Sequence, residues 1–450
     1  MKTQKTAFRG RIFYFRDSSC FETIPRSKEV DRSFHEHSYC YIEDGILVVE
    51  DGKVQAVGKY SELHKNLEGV KLIDYKGQLI TPGFIDTHVH AAQSAIVAAY
   101  GEKLLEWLNN YVFPAESKYK DAQHARTDLN FFIDLLLKNG TTTAVAYGPL
   151  MYEANDIFFE ELQKRNMRFI TGNTIMDDES PDYLKLPAEE NYNIAKKLIQ
   201  KWHNKQRLSF CVTPRFGLSC SEKMLELCGA LVKEHPGVYT QTHLNENINE
   251  IKATQAKFPW SKNYLDVYDR YGLVNERAVF GHCIHMTDAE LEVFKAKKAI
   301  ISSCPISNNF LGSGLFNFQR VSEYTDRITF ASDWGAGNSI SMLRVMDDAY
   351  KVAMLSGYKL PSMLRWYLCT LGSARALQID DKVGNFEIGK EADFIVINPN
   401  ATEILKYRNN QVDDIFELLF ITMSLGLQKN ISATYIMGEA AYINPEQNCS

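Results

Sequence analysis

The chain has no run of about 18 uncharged apolar residues, so no segment reads as a helix built to cross a membrane. Phe8-Arg9-Gly10-Arg11 interrupts any apolar core behind Met1-Lys2-Thr3-Gln4-Lys5, which argues against a secretory leader, and the expected location is the cytoplasm. Long runs of one charge sign are also missing, and the net charge is -6 over 450 residues. That balance leaves no electrostatic footprint for nucleic acid or an anionic membrane. The nine cysteines, Cys211, Cys220, Cys283 and Cys304 among them, form an odd, scattered set without a Cys-x-x-Cys pair, the pattern of reduced thiols. No strand is followed by Gly-x-Gly-x-x-Gly, since Gly335-Ala336-Gly337 lacks the third glycine, and this speaks against a dinucleotide-binding open sheet. There is no Gly-x-Ser-x-Gly elbow for a serine hydrolase. His-x-Glu and Pro-Cys-x-x-Cys, the zinc signature of the small cytidine-type deaminases, are absent too. Small-molecule chemistry of another kind is left.

With 45% hydrophobic residues the chain can bury a large core. From Ala7 to about Ile80 it reads as short strands, with Asp51-Gly52 between two β-branched runs as a hairpin signal. Ala392–Ile397 and Ala433–Glu439 read as similar strands near the other end. Residues 1–80 and 376–450 are therefore expected to combine in one small β-sandwich-like domain. Between them, residues 81–375 alternate apolar strands with helical stretches in about eight β-then-α units, which predicts an α/β fold, a closed TIM-like (β/α)8 barrel.

In Pro82-Gly83-Phe84-Ile85-Asp86-Thr87-His88-Val89-His90, two imidazoles stand two residues apart at the end of an apolar strand and so share a face. His35-Glu36-His37 has the same spacing in a polar segment with no strand run, and reads as surface. His243 closes a second expected strand, His282 a third, and Asp333 follows a fourth. Taken singly, His243 or His282 is more often a satisfied core histidine. In a barrel, however, all strand C-termini open on one mouth. Histidine nitrogens and one carboxylate converging there suit a single zinc or ferrous ion. Glu246, in the loop after His243, is placed for proton transfer, a solvated helix-start glutamate being its ordinary alternative.

These residues carry a resemblance. The double-histidine stretch, His243-x-x-Glu246, Gly281-His282 and Ser332-Asp333 resemble the amidohydrolase superfamily, in particular its deaminase branch with one metal. Thr213–Ser221, His243–Asn247, Ser303–Asn308 and Gln93 are similar to the members of that branch that act on guanine. The resemblance implies one Zn(2+) per subunit, with Fe(2+) as the alternative, held by His88, His90, His243 and Asp333. It implies that His282 and Asp333 steady the attacking water and that Glu246 shuttles its proton. Guanine would go to xanthine and ammonia, with His90, Gln93, Arg215, Phe216, His243 and Asp333 around the base, in a homodimer. Gln93 can accept from a ring N–H and donate to a carbonyl, Arg215 can donate to the O6/N7 edge, and Phe216 can pack on the purine face. Taken alone, Arg215 could equally be a surface ion pair and Phe216 a core residue. Trp334, Ile306 and Asn309-Phe310 depart from the family's pattern. A relative acting on another aminopurine, a pterin or a triazine would keep the metal set and change the pocket. A scaffold protein of this fold would have lost ligands, and here all are present.

Overall fold

The computed structural model describes residues 5–18, 37–100, 104–412 and 414–447. His35 and Glu36 lie outside the described residues, as do Met1–Gln4; His37 is exposed. The chain divides into two compact units. One is drawn from Met1–Ile85, Leu135–Thr143 and Ser341–Ser450, the other from Asp86–Asp134 and Ala144–Ile340.

The first unit is built on a seven-stranded sheet contributed by both ends of the chain. Its strands are β1 (Lys5–Phe15), β2 (Tyr39–Glu50), β3 (Lys53–Lys59), β4 (Lys71–Pro82), β13 (Phe394–Ile397), β14 (Ile431–Ile436) and β15 (Glu439–Ile443), in the order β15-β14-β13-β4-β1-β2-β3. Asp51 and Gly52 join β2 to β3 with φ of 50° and 78°, the two left-handed residues of a tight hairpin turn. Alternate residues of every strand but the last share one face. Phe8, Leu47, Val54, Ile80, Phe394 and Tyr435 form a single buried cluster, the Phe8 ring lying 4.8 Å from those of Phe394 and Tyr435. Burying each such side chain contributes about 1.5–3 kcal/mol. The stretch Ala433–Glu439 is not one strand, as its apolar run implies. Met437 and Gly438 (φ 51° and 73°) turn the chain between β14 and β15. Ile415–Leu425, capped by the Asp414 side chain, is a core helix, with Leu418, Leu419, Ile421 and Met423 buried.

The strands β5 (Phe84–His90), β6 (Thr141–Gly148), β7 (Arg168–Ile175), β8 (Leu208–Pro214), β9 (Tyr239–Leu244), β10 (Ala278–His282), β11 (Ile300–Ser303) and β12 (Ile328–Phe330) make an eight-stranded parallel sheet in sequential order, a near-closed (β/α)8 barrel. Their residues are almost continuously buried, as strands covered by helices on one side and packed on a barrel interior on the other must be. The interior is tied across the last gap. Thr87 Oγ1 lies 2.6 Å from Ser302 Oγ and 2.7 Å from Thr329 Oγ1, and the Asp333 N–H donates to the His88 carbonyl at 2.9 Å. The helices between strands start on side-chain caps where the sequence supplies them, as at Ser221 and in the Thr287/Glu290 capping box. Between β5 and the helix Ala122–Lys138, short turns at Leu104–Trp107, Leu108–Val112 and Phe113–Ser117 bury Leu104, Trp107, Leu108 and Phe113 against Met176, Leu184 and Phe216. Among the described residues, no helix is long and apolar enough to cross a membrane.

Candidate active site

The strand alternation of β5 turns His88 and His90 to one side, and the C-terminal ends of β9, β10 and β12 bring His243, His282 and Asp333 to meet them. Asp333 Oδ1 lies 3.4 Å from His88 Nε2 and 3.2 Å from His90 Nε2. His243 Nε2 faces His90 Nε2 at 3.3 Å. His282 Nε2 stands 3.7 Å from Asp333 Oδ2 and 3.4 Å from Glu246 Oε2. Holding these groups in register strains the backbone. Asn245, His282, Cys283 and Asp333 all have φ between 49° and 70°, each at a cost of about 1–3 kcal/mol, the mark of a site that overrides local preference.

The hydrogen bonds fix the tautomers. The Arg215 carbonyl, 2.6 Å from His243 Nδ1, can only accept, so Nδ1 carries the proton and the Nε2 lone pair points at His90. Burial pushes the imidazole of His88 down to about 4 and that of His243 well below its ordinary value, so both are neutral. Burial opposes ionisation of Asp333 as well, yet the close imidazoles of His88 and His90 hold its carboxyl well below the usual range. Two imidazole nitrogens 3.3 Å apart match two corners of a tetrahedral ion with bonds of about 2.0–2.1 Å. His88 Nε2 and Asp333 Oδ1 are buried without a hydrogen-bond partner. Three imidazoles and one carboxylate, so arranged, fit a divalent metal better than they fit hydrogen bonds to one another.

Glu246 and His282 flank this cluster. Burial pushes the Glu246 carboxyl up to about 7, against the opposing pull of His282 and of Ser313, whose hydroxyl donates to Oε1 at 3.1 Å. His282 Nδ1 lies 2.9 Å from Asn308 Oδ1. Burial would lower its pKa, but the charges of Glu246 and Asp333 win and raise it. Beneath, the buried Asp86 accepts from the backbone N–H of Ser332 at 3.1 Å and of His88 at 3.3 Å, linking the two strand ends. Close packing enforces the arrangement. A Cβ at Gly281 would sit 2.5 Å from the His88 ring, so Gly281→Ala is expected to lower metal affinity about 10–100-fold with the fold retained, as read by competition with a chelator.

A narrow pocket opens on the cluster, with Leu104, Trp107, Leu108 and Phe216 as its apolar walls. Gln93, Arg215 and Phe216, singled out from the sequence, all line it. Trp334 does not. Its indole donates to Ser94 Oγ at 3.1 Å and only its carbonyl reaches the site, accepting from the His90 N–H. One half-buried residue beside the cavity gives no signal in the sequence: Glu116 takes hydrogen bonds from both Gln93 (2.8 Å) and Arg215 (2.8 and 3.0 Å). Asn308 lies in a stretch quoted for the resemblance, yet without the fold nothing pairs it with His282. Among the described residues the cysteines are buried, and Cys304 Sγ lies within 4.8 Å of ligand atoms of His88, His282 and Asp333. Cys283 and Cys304 are fully buried, which raises both thiols well above their ordinary value.

A (β/α)8 barrel with a histidine/aspartate cluster at its strand ends defines a class, and the comparison with known proteins agrees: residues 79–441 match the amidohydrolase family, to which the chain belongs. Guanine deaminases are among the proteins the chain is similar to. It is 42% identical to the guanine deaminase of Escherichia coli K12 over 403 residues, 89% of this chain and 92% of the relative. The solved structure of an E. coli guanine deaminase superposes with a TM-score of 0.93 at 39% identity, covering 98% of this chain and 100% of the other. A guanine deaminase from C. acetobutylicum with guanine bound in its active site gives 0.85 at 28% identity, with the same coverage.

Proposed function

We propose that the protein is a guanine aminohydrolase, a hydrolase of the C–N bonds of cyclic amidines that converts guanine and water to xanthine and ammonia in purine breakdown or salvage. The observation that carries this reading is the juxtaposition of the His88/His90/His243/Asp333 cluster, Glu246 and His282 with a cavity edged by Gln93, Arg215 and Phe216. The likeness to guanine deaminases, one with guanine bound, supports the choice of base. His88, His90, His243 and Asp333 would hold the metal, zinc by the donor set and ferrous iron as the alternative. A bound divalent ion supplies Lewis acidity, bringing a water molecule toward hydroxide at neutral pH.

The rest falls to the chain's own side chains. His282 and Asp333 orient the attacking water toward guanine C2. Glu246 accepts the water's first proton and delivers it to ring N3 as the C2=N3 double bond becomes single. It then takes the proton of the new C2 hydroxyl and passes it to the amine, which leaves as ammonia while C2=O forms; a carboxyl poised near neutrality suits both transfers. Phe216 and Trp107 exclude bulk water from the base. We further read residues 81–375 as the catalytic barrel between the two parts of the small β domain, and the protein as a cytoplasmic homodimer, as the resemblance implies.

Xanthine formation from guanine by metal-replete protein tests the activity. Arg215→Ala is expected to lower kcat/KM for guanine about 100-fold or more, because a charged donor to the base edge is lost. Metal content should stay intact, since the contact that orients His243 is to the Arg215 backbone carbonyl, which alanine keeps. The variant should also unfold at a lower temperature, with Glu116 left unpaired in a buried position. Loss of metal in this variant would make Arg215 structural.

A further inference from the structure

Glu116 lies on the short helix Phe113–Ser117, 23 residues from Gln93 and 99 from Arg215 in sequence, and its side chain is only 9% exposed. A buried carboxylate stands there because a guanidinium answers it. Arg215 Nη1 donates to both oxygens, at 2.8 and 3.0 Å, while the Arg215 plane rests over the Phe113 ring at 5.5 Å. The same Oε1 accepts from Gln93 Nε2 at 2.8 Å. A carboxylate can only accept, so it decides which end of the Gln93 amide faces it: the nitrogen. The amide oxygen is thereby turned the other way. Gln93 Oε1 lies beside Gly335, buried and with no hydrogen-bond partner, at the edge of the cavity.

We propose that Glu116 is a positioning residue that determines base specificity, by locking the Gln93 amide so that it presents an acceptor, and the Arg215 guanidinium so that it presents a donor, to one edge of the substrate. The inference rests on the reading of the cavity as a guanine site. Guanine carries an N–H donor at N1 beside the acceptor O6, the complement of that pair. 2-Aminopurine has the same amino group on C2 but an unprotonated N1 and no O6, so it meets the locked acceptor with a lone pair. The Glu116–Arg215 pair also leaves this edge without net charge, which suits a neutral base.

The test compares ammonia release from guanine and from 2-aminopurine by the metal-loaded wild type, Glu116→Gln and Glu116→Asp. Glutamine is isosteric but can present either a donor or an acceptor, so it frees the Gln93 amide to turn. The expected result is that Glu116→Gln loses about tenfold or more of the guanine preference in kcat/KM, chiefly through KM for guanine, as for one misdirected hydrogen bond. Metal content and thermal midpoint serve as controls for folding. Glu116→Asp, which keeps the charge, should slow both substrates while holding the preference within about threefold, and it carries the comparison if the glutamine variant does not fold: a lost preference there overturns the proposal. An equal loss on both substrates in Glu116→Gln, or an unchanged ratio, makes Glu116 merely structural and overturns the proposal while the guanine reading stands. A wild type that releases no ammonia from guanine overturns the reading and the proposal together.

Discussion

Glu246→Gln is expected to remain folded and metal-loaded while losing about 10²–10⁴-fold of its turnover, the range a positioned acid–base group contributes. The substitution is nearly isosteric. Its side-chain oxygen can still accept from Ser313, which donates to Glu246 Oε1 at 3.1 Å, so the loop between His243 and the helix Ile248–Lys257 keeps its place. What disappears is a group that can take up and release a proton. Burial pushes the Glu246 carboxyl up to about 7, where both of its forms are populated near neutrality, and an amide has no such pair of states. The measurement is kcat at saturating guanine, alongside metal content and thermal midpoint. Turnover near that of the wild type would remove Glu246 from the proton shuttle.

The second large effect is at Asp333. Asparagine preserves its shape but removes the only anion placed between His88 and His90, at 3.4 and 3.2 Å. The substitution takes one of four expected ligands and the negative charge of the set from a site that holds a divalent ion by both. Asp333→Asn is expected to retain less than about a tenth of the wild-type metal after dialysis and to lose more than about 10³-fold in turnover, combining a lost ligand with a lost water-orienting group. Its backbone N–H still bridges to the His88 carbonyl, so the barrel should close as before. Because metal binding adds to the stability of the folded state, the thermal midpoint of wild type and variant should differ with metal present and converge in chelator. Full metal occupancy in the variant would exclude Asp333 as a ligand.

Parts of this were open to inspection in the chain. Two-residue alternation places His88 and His90 on one face whatever the tertiary structure, and Asp51-Gly52 encodes its hairpin through the left-handed conformations those residues tolerate. That His243, His282 and Asp333 should reach the double histidine follows from one geometric fact, that parallel barrel strands end at a common mouth. The reading fails where local signal and tertiary outcome part. In Ala433–Glu439 the apolar run hides a turn, because Met437 takes a left-handed conformation that its side chain does not advertise. Trp334 looks obstructive as a letter beside Asp333, yet its indole leaves the cavity for Ser94. Glu116 is invisible for a deeper reason. No local pattern marks it, and its meaning lies in Gln93 and Arg215, brought to it by β5 and β8.

The function proposed for this barrel mouth is selective deamination of guanine with one bound metal. The most direct measurement is ammonia release by purified, metal-quantified protein given guanine, adenine, cytosine or 8-oxoguanine. Release from guanine alone, at one metal per chain, is the expected result. Release only from another base would contradict the pocket assigned to Gln93, Arg215 and Glu116, and a protein with neither metal nor release would contradict the claim itself.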